Sequence, residues 1–426
     1  MLVHRLWAAT ALLTLVYAQY ENCTVPDIPI KTFYDFPSQT QIPTILSNDS
    51  TAKDLFAQMQ AAGGPALDIA PKGNPDGMGD FSSTLPNYDV HADPDCWFTY
   101  SHCTQPKAAG LTHDLSSCDV PSTWALSFDD GPTCFNDILY DFLRQENIKA
   151  SMYYIGKNAL NFPTQARKGF EDGHTICSHT WTHHYLTSLT NEQVFAELYY
   201  GKLAIKRVLG VDTRCFRPPY GDVDDRVRSI AKFLDLTIDV WDHDSDDWQA
   251  NLPGDNSTAA VDQQYKNLTS MGSQGMTVLS HESTTSVINA FKRAFPDIKA
   301  NFKNIVPIHT CANVTKPYLD KNIVFPDMQE YLAGNHTPLG MPKPMTNKGH
   351  LLFDSEAVKN FTSAGEGKTA TRSGAASAVT ATAGSDVVIL ESGSTSLAPT
   401  LSLTLAASCF VVSIMVLNSG LSSSFL

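Results

Sequence analysis

An α/β fold, more narrowly an incomplete and distorted β/α barrel, is what this sequence predicts, with an irregular extension before it and a disordered stalk after it. Two observations predict it. Across about residues 120–311, short apolar or β-branched runs alternate with amphipathic stretches, the rhythm of a parallel sheet with crossover helices. Four polar islands then sit where such runs end. They are Ser127-Phe128-Asp129-Asp130-Gly131, His179-Thr180-Trp181-Thr182-His183, Arg217-Pro218-Pro219-Tyr220-Gly221 and Leu279-Ser280-His281-Glu282. A doubly wound sheet fits the alternation too. Four islands from separate strands converge more readily at a barrel mouth, where strand C-termini gather. About seven strands are visible against the eight of a closed barrel, so the barrel is expected to be incomplete.

The elements follow in order. Residues 124–128 read as a strand and 135–146 as a helix; 150–155 is a strand, followed by a helix near 164–171. A short strand at 175–178 precedes the clearest helix, 191–209, with Val194, Leu198, Ile205 and Val208 near one face. Then come a brief strand at 215–216, a helix at 224–234, a strand at 236–241 and a helix at 259–271. Strands at 276–280 and 304–308 enclose a helix at 285–294.

The flanks are of other kinds. Residues 1–18 look like a secretory signal: His4 and Arg5, an apolar run at 6–16, and a small-residue site at Val16-Tyr17-Ala18. Residues 19–117 are rich in Pro, Asp, Asn and Gly and read as an extension packed on the main domain at 118–311. A further extension spans 312–360. Residues 361–394 begin a Ser/Thr-rich stalk; 361–400 hold fourteen Ser or Thr and one aromatic, too little to build a core. The tail at 395–426 resembles a glycosylphosphatidylinositol (GPI) attachment signal. Its apolar run at 401–417 is short and diluted by Ser402, Thr404, Ser408 and Ser413, and Arg372 is the last basic residue. Ser392-Gly393-Ser394, Ser373-Gly374 and Gly384-Ser385 are the candidate attachment sites.

Net charge is −14, which argues against nucleic acid and anionic membrane surfaces as partners. Asn-x-Ser/Thr occurs at Asn22, Asn48, Asn256, Asn267, Asn313, Asn335 and Asn360, as suits a secreted glycoprotein. Of nine cysteines, Cys409 lies in the tail; the other eight form an even set, read as disulfides.

The islands hold the inventory of a metal-dependent hydrolase. His179 and His183 are spaced i, i+4, which on a helical turn puts both rings on one face. A carboxylate from Asp129 or Asp130 would complete a His₂Asp site with an open position. Adjacent residues at a strand end point apart, so one can bind metal while the other faces substrate. Alone, an Asp-Asp-Gly is more often a solvated turn; its company makes the case. His174 and His184 are nearby decoys, read as structural. The two prolines stiffen the Arg217 loop, so it can hold a backbone N–H as an oxyanion donor, and Arg217 can orient a carboxylate. The acidic cluster Asp244-Ser245-Asp246-Asp247-Trp248 can hold His281 protonated.

Together and in this order, the islands resemble the motifs of the NodB-like polysaccharide deacetylases, carbohydrate esterase family four, which includes fungal chitin deacetylases. The resemblance covers about residues 120–310. It implies an incomplete β/α barrel and one divalent metal, zinc first, with cobalt and manganese as alternatives. By position, it gives Asp130, His179 and His183 as metal ligands, Asp129 as catalytic base and His281 as catalytic acid. Arg217 steadies the base, Asp247 orients the acid, and the Tyr220 N–H is the oxyanion donor. Trp248 and Leu279 line the pocket, with Leu279 against the acetyl methyl. Ser127 stands where the family usually has Thr, Glu282 where bacterial members often have Asp, and Asp244 or Asp246 could share the role of Asp247. The implied activity is N-deacetylation of chitin or chitin oligomers at a GPI-anchored position on the cell surface and wall. Another acetylated glycan as substrate, or a non-catalytic wall mannoprotein, are the alternatives. Cys118 and Cys311 flank the barrel, whose ends should be close, and are expected to bridge.

Overall fold

The computed structural model describes residues 35–252 and 256–342. The expected signal peptide, stalk and anchor signal lie outside the described residues. The N-terminal extension contributes α1 (Ser50–Ala62) and the one-turn α2 (Phe98–Ser101). The main series is β1 (Thr123–Gly131), α3 (Asn136–Gln145), β2 (Ser151–Tyr154), α4 (Gly156–Asn161), α5 (Pro163–Glu171), β3 (Thr175–Ser178), α6 (Asn191–Leu209) and β4 (Cys215–Phe216). It continues with α7 (Asp225–Phe233), β5 (Thr237–Ile238), β6 (His243–Asp244), α8 (Asn256–Thr269), β7 (Gly275–Leu279), α9 (Thr285–Asn301), β8 (Asn304–Pro307) and α10 (Ile308–Cys311). α11 (Met328–Leu332) follows in the C-terminal extension.

Every strand pair is parallel, and the order is β5-β4-β3-β2-β1-β7-β6 with β8 also on β1. β5 and β6 stand at opposite ends of this path, so the barrel is open between them, as expected of an incomplete barrel. β1 is the hinge of the sheet. Its first half, Thr123 to Leu126, pairs with both β7 and β8, and its second half, from Ser127 on, pairs with β2.

Strand periodicity sorts the residues of β1. Trp124, Leu126 and Phe128 turn outward into the main core, where Phe128 meets Phe291 edge-on at 4.9 Å and Trp124 meets Phe302 at 5.2 Å. Ala125 turns inward to a small cluster with Tyr153, Cys177, Cys215 and Val306. Ser127 and Asp129 continue that inner row, which delivers polar groups to the barrel mouth.

Three elements depart from expectation. β6 makes the strand count eight rather than seven; its two polar residues carry no apolar signal. α4 follows β2 with no turn residues between, and Pro163 restarts the chain as α5. α9 does not end at Ala294, before Pro296, as its sequence suggests; it runs on to Asn301 because Phe295 and Ile298 extend its buried face.

Residues before the barrel pack against it. The Lys72 ammonium lies 2.6 Å from Asp95 and 2.5 Å from Asp224, all three buried. Disulfides join Cys96 to Cys103, Cys177 to Cys215, and Cys118 to Cys311. The last is the pairing expected across the barrel ends. It closes 193 residues, so replacing both cysteines by serine should cost about 2–5 kcal/mol through the larger entropy of the unfolded chain. Thermal denaturation should show a Tm lower by roughly 5–15 °C. A Tm within a degree or two of the parent would mean that the bridge adds nothing.

The sequon residues Asn48, Asn267, Asn313 and Asn335 are all exposed. Among the described residues, no helix is long and apolar enough to cross a membrane.

Candidate active site

The carboxylate pair owes its geometry to a break in β1. The pairing with β2 shifts register between Asp129 and Gly131, and Asp130 takes a positive φ of 73°. Such a bulge re-aims one side chain relative to its neighbour. Asp130 therefore turns toward the histidines while Asp129 keeps its inward position. Gly131 leaves room for the buried Glu282 carboxyl, which a Cβ at 131 would force to shift.

His179 and His183 do meet, but not on a helical turn. Both lie in the irregular loop after β3, where Thr180 and His183 have φ of 65° and 71°. Glu197, fully buried on α6, holds this loop. Its carboxylate accepts the N–H groups of Trp181 and Thr182, both at 2.8 Å, and the Thr182 hydroxyl. His184 Nδ1 sits 2.8 Å from the same carboxylate, and His174 Nδ1 accepts the Ala150 N–H at 3.1 Å, the packing roles expected of both.

The two Nε2 atoms of His179 and His183 face each other at 3.1 Å, and Asp130 Oδ1 lies 3.5 and 3.1 Å from them. His179 Nδ1 is 2.8 Å from the Arg217 carbonyl, which fixes the proton there and leaves Nε2 as a lone pair. Asp130 Oδ1 is buried and accepts no hydrogen bond. Burial lowers His183, favouring the neutral ring. Converging lone pairs with an orphaned carboxylate oxygen are a donor set that fits a divalent cation.

Two other clusters, Cys177-Cys215-Asp239-His309 and Asp93-Cys96-Cys103, have comparable spacing. Their cysteines are spent in disulfides, which removes the thiolates.

Asp129 is held from the other side. Arg217 Nη1 donates to Asp129 Oδ1 at 2.7 Å and to Ser127 Oγ at 2.9 Å, with the arginine fully buried. Serine thus supplies the hydroxyl that threonine would, and passes it on to the Val278 carbonyl. The guanidinium stacks 3.9 Å over the Tyr153 ring; the Tyr153 hydroxyl donates to Asp239, and Asp239 lies 3.1 Å from His309. No local sequence signal pointed to Tyr153, Asp239, His309 or Glu197, since each acts on a partner far along the chain.

His281 reaches the site through backbone pairing beyond β7: Asp129 N–H donates to Ser280 O and Glu282 N–H to Asp129 O, both at 2.9 Å. His281 Nδ1 lies 2.6 Å from Asp247 Oδ1, and its N–H donates to Asp247 Oδ2 at 2.9 Å. Burial alone would lower the imidazole pKa. The Asp247 charge and hydrogen bond, then Asp130 and Asp129, reverse this and push it up to about 10. Asp247 is fully buried, whereas Asp244 accepts the Asp246 N–H instead, so Asp247 is the one that holds His281.

Tyr220 and Trp248 are each about half exposed, with the Tyr220 ring 4.7 Å from that of His183. Leu279 is buried at the end of β7.

These features set the chain among barrel proteins whose chemistry gathers at strand C-termini. The family profile described as polysaccharide deacetylase matches residues 116–238. Chitin deacetylase 2 of Cryptococcus neoformans var. grubii is 44% identical over 306 residues, covering 70% of this chain and 66% of that protein, just under two thirds of its length. The chitin deacetylase of Amylomyces rouxii is 38% identical over 303 residues, covering 69% of this chain and 70% of that protein. The chain belongs to the polysaccharide deacetylase family. Among solved structures, the chitin deacetylase of Colletotrichum lindemuthianum aligns at 24% identity with a TM-score of 0.44, over 48% of this chain and 92% of that one.

Proposed function

We propose that this protein removes acetyl groups from N-acetylglucosamine units of chitin, releasing acetate and leaving glucosamine. The observation that carries the reading is one cluster in which a carboxylate held by Arg217 and an imidazole held by Asp247 stand beside a His₂Asp donor set. The likeness to the Cryptococcus and Amylomyces chitin deacetylases supports the choice of polymer.

Asp130, His179 and His183 would hold a divalent metal, zinc by preference for two imidazoles and a carboxylate. When bound, it polarises the amide carbonyl and makes water more acidic. Asp129, fixed by Arg217, accepts the proton of the attacking water. The Tyr220 N–H faces the charge that builds on the carbonyl oxygen. His281, protonated through Asp247, supplies the proton without which an amine leaves poorly. Trp248 and Leu279 shape the pocket, Leu279 against the methyl. The disulfides suit an oxidising compartment, in keeping with a protein that is secreted and held at the cell surface by a GPI anchor.

The test is acetate release from chitin oligomers by the secreted protein, before chelation, after it, and after zinc return. Release is expected to fall at least a hundredfold with chelator and to recover with zinc. Release from acetylxylan or peptidoglycan fragments but not chitin would replace the substrate. No release from any acetylated glycan by the metal-loaded protein would favour the wall-structural alternative.

A further inference from the structure

The N-terminal extension does more than cover the barrel. Asp222, the residue after Gly221, is fully buried, and its carboxylate ties three segments together. From the extension, Trp97 Nε1 donates to Oδ1 at 2.9 Å and the Thr99 hydroxyl at 2.6 Å. From the loop beyond His183, the Thr187 N–H donates to Oδ2 at 2.7 Å, and the Thr187 hydroxyl reaches both oxygens.

The grip continues residue by residue. The Phe98 N–H donates to the Val223 carbonyl at 3.0 Å, and the Asp225 N–H to the Asp95 carbonyl at 2.9 Å. The Asp225 carboxylate accepts the N–H groups of Lys107 and Ala108, and Arg228 pairs with Asp114 at 2.6 Å. Lys72 bridges Asp95 to Asp224. The stretch 222–228 is thus bonded to the extension at five of its seven positions, 222, 223, 224, 225 and 228.

What this grip holds is a strained turn. Tyr220 has φ 59° and ψ 13°, left-handed for a residue with a side chain, and Gly221 follows at φ 66°. A side chain at 221 would meet the Phe98 ring at 2.7 Å, so the extension presses directly on the turn. Such a conformation persists only where its surroundings over-determine it. Arg217 anchors the turn on one side; on the other, the anchor is Asp222, held by Trp97 and Thr99.

We infer that Trp97 and Thr99 are positioning residues of the active site, acting through Asp222 to fix the Tyr220 N–H toward the reacting carbonyl. The inference rests on the deacetylase reading for its catalytic consequence, and on the hydrogen bonds alone for its structural one.

The experiment compares Thr99→Val, Thr99→Ser and Trp97→Phe with the parent, all metal-loaded. Two measurements are made: acetate release, and amide hydrogen exchange at Gly221 and Asp222, whose N–H groups bond within the turn to the Pro218 and Pro219 carbonyls. Thr99→Val and Trp97→Phe are expected to speed exchange at least tenfold and to lower kcat about tenfold or more, with KM within twofold and metal content unchanged. Thr99→Ser, which keeps the hydroxyl, should match the parent in both. Unchanged exchange in Thr99→Val overturns the inference whatever the activity. Faster exchange with unchanged kcat, or a loss wholly in KM, overturns the positioning role. A parent that loosens in this way in its variants yet releases no acetate from any acetylated glycan overturns the deacetylase reading and the catalytic half of the inference with it.

Discussion

Replacing Asp129 with Asn should lower kcat for acetate release by about three orders of magnitude, within the range measured for loss of a general base. The substitution is nearly isosteric, so its effect isolates proton acceptance from shape. An amide oxygen can still accept from Arg217 Nη1, now 2.7 Å from the carboxylate, so the buried guanidinium keeps a partner. It loses its neutralising charge, and removing one member of a buried ion pair outright costs about 3–5 kcal/mol. With the hydrogen bond retained, the cost should be smaller and visible as a modest fall in Tm. Metal content should hold, because Asp130, His179 and His183 remain. The decisive comparison is kcat against bound metal in one preparation. Activity within tenfold of the parent, with metal bound, would remove Asp129 as the base. Loss of metal together with activity would instead make Asp129 part of the donor set, a real alternative since its Oδ2 lies 3.7 Å from His179 Nε2.

Most parts of this site that are legible in the sequence are local; the pairing of the acidic cluster at 244–248 with His281 is the exception. Two adjacent carboxylates, two histidines four apart and an Arg-Pro-Pro turn are visible without a structure because their members are neighbours. How they meet was less legible. The histidine spacing suggested a helical turn, but two left-handed residues, Thr180 and His183, make a tight loop instead. Neither is glycine, so nothing in the composition announces it, and the group that stabilises the loop, Glu197, comes fourteen or more residues later on another element. The choice among Asp244, Asp246 and Asp247 was open for a related reason. All three are acidic and adjacent, and only the fold shows that Asp247 alone turns inward to His281. The alternating strands and helices were legible because burial imposes their periods. β6 was not, since two residues carry no period.

Replacing Asp247 with Asn should move the alkaline limit of activity down by several pH units. Protonated His281 is the form that can give a proton to the leaving amine. In the parent its pKa stands near 10, so that form persists through neutrality and is lost only as the pH rises through about 10. Asp247 is the principal group raising it, while burial works in the opposite direction. Without that charge, burial is opposed only by the more weakly acting Asp130 and Asp129, and the pKa should fall toward the ordinary value of about 6.5. At pH 9 the variant would then hold about one imidazole in a hundred or fewer in the acid form, so kcat/KM should drop about a hundredfold or more. At pH 6 the deficit should be far smaller. Stability carries the same sign. A pKa raised on folding contributes stability that is fully present below about 6.5 and lost as pH rises through about 10, so the parent's Tm should decline across that window and the variant's decline should flatten. The replacement asparagine could still accept the His281 backbone N–H, now bonded to Asp247 Oδ2, which keeps the loop in place and separates charge from architecture. A variant with an unshifted alkaline limb would show that some group other than His281 delivers the proton. A variant equally weak at every pH would show that Asp247 sets the position of His281 rather than its charge.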